Sequence, residues 1–110
     1  MGLDSFWMQD NERASVSGDF RVCGGMLSGH GNDSFRGKVY NDIVESLTGV
    51  SLYQEKIPNE TVKQMSDTLD CHVWNRSIGE QFDISEDSFN DLLLIFRLHS
   101  QAGHDLVGWW

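Results

Sequence analysis

One hundred and ten residues set the scale of a single domain, 1–110, long enough to bury about two thirds of the surface its unfolded chain exposes. Hydrophobic residues at 39% and charged residues at 23% are ordinary for a globular protein and exclude a wholly disordered chain, and no apolar run approaches the ~18 residues of a membrane span. Eight Lys and Arg against seventeen Asp and Glu leave a net charge of −9, which argues against general nucleic-acid binding and against docking on anionic lipid.

In chain order, Leu3 to Met8 alternates and predicts a strand with Leu3 and Trp7 on one face. Gln9 to Asp19 is polar and turn-like, and Phe20 to Cys23 alternates again as a second strand. Gly24 to Gly37 is a long irregular loop with five glycines. A first helix is expected from near Ser34, with Val39, Tyr40, Ile43, Val44 and Leu47 on one stripe and Gly49 as its C-terminal cap. Val50 to Ile57 is extended or loop. A second helix follows Pro58, with Asn59 as the expected N-cap and Val62, Met65 and Leu69 as its apolar face.

Cys71 to Trp74 fits either a short strand or the tail of that helix, and Asn75 to Asp83 reads as loop. Ser85 caps a third helix, with acids in its first turn and Ile84 placed as a staple. Its stripe Phe89, Leu92, Leu93 and Phe96 is joined by Leu94, Ile95 and Leu98 on other sides, so the helix is expected in the core or at a dimer interface. Gly103 stops it, and Leu106 to Trp110 is a last strand. Bulky aromatics at both ends predict terminal strands that pair and tryptophans that are packed down. The expectation is an α+β fold: a small single domain whose short terminal strands form an antiparallel sheet against about three helices.

Charge is unevenly placed. The stretch from Phe20 to Tyr40 carries a net +2 and the remainder −11, so the one positive segment is also the glycine-rich one. An acidic surface aimed at a basic partner is one reading of the rest; plain solubility is the other. Cys23 and Cys71 form no C-x-x-C pair, and both are expected as free, semi-buried thiols. With no basic or apolar leader in Met1 to Arg13, the expected location is the cytoplasm, the host's if the source is viral.

Several features together resemble a group of small hypothetical proteins from phages and environmental sequences. They are the Gly2-Leu3-Asp4 opening, the stretch from Cys23-Gly24-Gly25 to Ser34-Phe35-Arg36-Gly37-Lys38-Val39-Tyr40, the segment Thr48-Gly49-Val50-Ser51-Leu52-Tyr53, and the closing Gly108-Trp109-Trp110. The resemblance implies a virus or mobile element as source and carries no activity with it.

The glycine-rich loop is the candidate ligand site. Glycines let backbone N–H groups approach a ligand, and a helix start attracts anions. Standard phosphate motifs fail: Gly31 and Gly37-Lys38 are separated by five residues where a P-loop needs four, and Val39 follows where Ser or Thr binds magnesium. A generic polar or anionic ligand would be held by His30, Asn32, Ser34, Arg36 and Lys38, with Arg36 as the main contact because a guanidinium takes two acceptors at once. The competing reading is a structural loop whose cations neutralise acids such as Asp33 and Asp42.

Catalytic constellations are weaker. Ser28, His30 and Asp33 crowd one loop, whereas triads converge from separate elements. His99 and His104 are five apart across a helix end, the wrong spacing for a shared helical face. No catalytic residue, metal site or cofactor is assigned. The sequence therefore leads to a small acidic non-enzymatic binding or protein-interaction module, a homodimer or the partner of another protein. Two alternatives stand beside it: an anion-binding protein or enzyme using the loop, and an acidic mimic of nucleic acid.

Overall fold

The computed structural model describes residues 3–14, 16 and 34–110. They form β1 (Asp4–Gln9), β2 (Glu12–Arg13), α1 (Gly37–Thr48), β3 (Lys56–Ile57), α2 (Asn59–Asp70), α3 (Arg76–Phe82), α4 (Glu86–Gln101) and β4 (Asp105–Trp109). The expected Phe20–Cys23 strand and most of the glycine-rich loop lie outside the described residues.

β1 and β2 form a hairpin with a two-residue turn, Asp10-Asn11, both at positive φ (52° and 65°). Such a turn matches the right-handed twist of the strands it joins, and Asp and Asn tolerate the left-handed conformation that it requires. The sheet order is β2-β1-β4-β3, antiparallel throughout. The strands near the two chain ends are thus the central pair, with Asp4 opposite Trp109 and Met8 opposite Asp105. Beyond the short β2, Phe35 takes the free edge of β1 through two backbone hydrogen bonds with Ser5, 2.8 and 2.9 Å.

The helices cover one face of this sheet. Leu3, Trp7, Leu106 and Ile57 point into the core, where Phe89, Leu92, Ile95 and Phe96 of α4 meet them. Trp7 is at the centre, edge-on to Phe96 at 5.3 Å and stacked flat on His99 at 4.1 Å. The α4 expectations hold: Ser85 Oγ accepts the Ser88 N–H at 3.1 Å, and Leu92, Leu93 and Phe96 are buried. Gly49 closes α1 at φ 76°, donating its N–H to Glu45 O at 2.8 Å.

Four local expectations change. First, α1 starts at Gly37 rather than near Ser34, and Val39, at the edge of its stripe in the first turn, is half exposed. Second, the expected loop at 75–83 contains α3, capped by Asn75 Oδ1 accepting the Ile78 N–H at 2.9 Å. No residue of α3 is fully buried, and its apolar face is one pair, Ile78 and Phe82, partly packed against the core. The helix is clasped by Trp74, whose indole N–H donates to Ile84 O at 3.0 Å and whose ring leaves no space for a Cβ on Gly79.

Third, Pro58 is the residue before α2, and Asn59 is inside it. The Asn59 amide therefore reaches across, donating to Ser100 O (3.2 Å) and His104 O (2.9 Å), while its backbone N–H goes to Asp105 Oδ1 (2.8 Å). Fourth, Cys71 is an exposed free thiol rather than a semi-buried one, because α2 has ended beneath it. Among the described residues no helix is long and apolar enough to cross a membrane.

Candidate functional site

Three of the five sequence-derived site residues can be placed. Ser34 is buried, and among the described residues its hydroxyl has no hydrogen-bond partner, a condition shared by the neighbouring Ser5 hydroxyl. Arg36, the residue before α1, and Lys38, in its first turn, are exposed; neither forms an ion pair among the described residues. Arg36 does not cap the helix through its side chain, and no acid occupies the first turn. His30 and Asn32 lie outside the described residues.

Sequence reasoning missed a second surface. Trp109 and Trp110 were expected to be packed down, and the strand that carries Trp109 is indeed held between β1 and β3. Their side chains, however, are 61% and 51% exposed, whereas Trp7 is 1% exposed. The cause is strand alternation plus a filled slot. Leu106 and Gly108 face inward and Trp109 faces out, while the space over Gly108 is occupied by the carbonyls of Leu52 and Gln54. A Cβ there would stand 2.6 and 2.7 Å from those oxygens.

That 50–55 loop is rigidly built. Leu52 is buried, and its N–H donates to Asn41 Oδ1 at 2.7 Å. The Ser51 hydroxyl accepts the Tyr53 N–H at 3.1 Å, the Gln54 side-chain amide donates to Ser51 O at 2.9 Å, and Gln54 O accepts the Gly108 N–H at 3.1 Å. With Leu52 pinned inside, Tyr53 is turned outward against Trp110, ring centres 5.7 Å apart and nearly perpendicular. Glu55, Gly108, Trp109 and Trp110 line a shallow cleft of about 270 Å³ beside this pair. Comparison with protein-family models, curated proteins and solved structures gives no match. The functional reading therefore rests on geometry.

The remaining polar clusters are internally satisfied. In the groove between α2 and α4, Arg97 donates to both Asp70 oxygens, at 3.2 and 2.9 Å. Hydrogen bonding to Asp70, and then its charge, hold the Arg97 proton more tightly than usual. His99 and His104 do meet: the turn after α4 folds His104 back so that their Nδ1 atoms lie 2.7 Å apart, both rings buried. At that distance one nitrogen donates and the other accepts. Two Nδ1 atoms aimed at each other so closely leave no room for a metal ion between them. Among the described residues no three metal-ligating side chains gather.

Proposed function

We propose that this chain is a non-enzymatic interaction module that engages its partner through the aromatic end of the sheet, Tyr53, Trp109 and Trp110. The observation that carries this reading is the exposure of two adjacent tryptophans in a chain that buries Trp7, Phe35, Tyr40, Phe89 and Phe96. Large aromatics held at the surface by a rigid backbone lose little entropy on binding, which is why they dominate binding hot spots. Here the backbone is fixed by β4 on one side and the pinned Leu52 loop on the other.

The test is an NMR titration of basic and acidic peptides, neutral sugars and small organic ions, read at the indole N–H signals. A saturable response at Trp109 and Trp110, with calorimetric binding of the same ligand that is lost in a Trp109→Ser, Trp110→Ser variant, supports the module. Binding that is unaffected by the double substitution refutes it. Sedimentation across a concentration series separates a homodimer through the same patch from a foreign partner.

A second reading keeps the anion site at the start of α1, favoured by Arg36 and Lys38, which form no ion pair among the described residues, and by the Ser34 hydroxyl, which has no hydrogen-bond partner among them. Phosphate or a small carboxylate would then raise the melting temperature of the wild type and not of Arg36→Ala. No stabilisation of either protein sinks it.

A further inference from the structure

We infer that the Glu55–Trp109–Trp110 cleft seats a lysine or arginine side chain from a basic segment of a partner protein; this deepens the interaction-module reading and rests on it. Three observations converge. First, the lining is chemically selective: it holds two indoles, the side-chain rings that attract cations most strongly, and Glu55 adds a carboxylate with no ion pair among the described residues. Second, the cation next to Glu55 in the chain already has a partner: Lys56 Nζ is 3.3 Å from Asp105 Oδ2, and no lysine or arginine lines the cleft. Third, the size suits a side chain: about 270 Å³ falls below the roughly 300–1,000 Å³ of sites that enclose small molecules and cofactors.

The whole molecule reinforces the choice. A net charge of −9 repels an anionic ligand and draws a basic one toward the surface before contact. Tyr53, edge-on to Trp110, steadies that indole without entering the cleft lining. A guanidinium or ammonium placed there meets aromatic faces and the carboxylate together, an arrangement that an exposed salt bridge alone does not provide.

The experiment uses the full chain and three short peptides of identical length: one with arginine and lysine, one with each arginine replaced by citrulline and each lysine acetylated, and one with glutamate in their place. Choline and a neutral disaccharide form two further arms. The expected result is a saturable shift of the Trp109 and Trp110 indole signals with the basic peptide. Neutralising the peptide, or changing Glu55→Gln in the protein, should weaken it by about tenfold, and added salt should weaken it further. Thermal melting confirms that the Glu55→Gln protein is folded. Equal binding of the neutralised peptide, an unchanged Glu55→Gln affinity, or a response to choline with none to the basic peptide overturns the inference. If the disaccharide or the acidic peptide saturates the same signals and the basic peptide does not, this inference fails and the module reading stands. Silence from every ligand removes both.

Discussion

Gly108→Ala is the sharpest single test of how the aromatic end of the sheet is built. Gly108 is not in the left-handed region of backbone space, so alanine there meets no conformational penalty. The obstacle is room. Its Cβ would stand 2.6 Å from Gln54 O and 2.7 Å from Leu52 O, short by about 0.8 and 0.7 Å of the 3.4 Å at which ordinary contact begins. Both obstructing atoms are backbone, and Leu52 is anchored in the core, so the loop cannot swing aside as a flexible side chain would. Over-packing of this kind costs about 1–3 kcal/mol. Loosening the Gly108 N–H to Gln54 O bond adds about 0.5–1.5 kcal/mol.

The expected total, roughly 2–4 kcal/mol, is a large fraction of the ~5–15 kcal/mol that holds a domain together, and at about 4–8 °C per kcal/mol it lowers the melting temperature by on the order of 10 °C or more. Circular dichroism melts and urea titrations measure it. Gly49→Ala is the control: φ there is 76° with open space around the Cβ position, so it costs about 1–2 kcal/mol of backbone strain. That change leaves the Trp110 signals alone, whereas Gly108→Ala displaces Tyr53 and shifts them. A Gly108→Ala protein with wild-type melting and unchanged Trp110 signals would refute the account of the loop.

Leu92→Ala should cost about 2–5 kcal/mol by calorimetry or denaturant unfolding, since the side chain is fully buried in α4. Trp109→Ser and Trp110→Ser should each change stability by no more than about 0.5 kcal/mol, because the indoles are more than half exposed; a large loss would mean that they are structural. His104→Ala leaves His99 Nδ1 without its 2.7 Å partner and should cost about 1–3 kcal/mol. Combining it with His99→Phe, which retains a ring against Trp7, should cost less than the two single changes added, and simple additivity in denaturant unfolding would show that the rings are not coupled.

Much of the fold was legible where one residue type has one physical consequence. Alternation in β1 and β4, the stripe and cap of α4, and Gly49 all express burial or backbone geometry that acts within a few residues. Helix α3 was illegible because it is short and buries no residue fully: its signals are the Asn75 cap and one apolar pair, Ile78 and Phe82, that lies partly against the core. The spacing of His99 and His104 correctly denies them a shared helical face, but it carries no sign of their contact, which the turn after α4 makes by reversing the chain. The aromatic cleft combines Glu55 with Trp109 and Trp110, and their nearness follows from Ile57 pairing with Leu106. No local pattern records which two strands will pair. Composition alone suggested that three tryptophans would be buried, when the slot beneath one of them had already been taken by backbone.

The pairing of β1 with β4 also shapes how the molecule reaches this state. The β1–β2 turn closes over two residues, whereas Met8 and Asp105 are about 97 residues apart. Each doubling of a closing loop costs about 0.6 kcal/mol of chain entropy, so joining β1 to β4 from an unstructured chain costs about 3 kcal/mol more than the hairpin. Folding of α2 and α4 against each other first would bring β3 and β4 together, since β3 leads into α2 and β4 follows α4, and it leaves the β1–β2 hairpin to dock on β4 late. Substitutions in β1 should then speed unfolding and leave the folding rate nearly unchanged, while substitutions in α4 should slow folding. The N-terminal hairpin would be the last part of the molecule to assemble and the first to come apart.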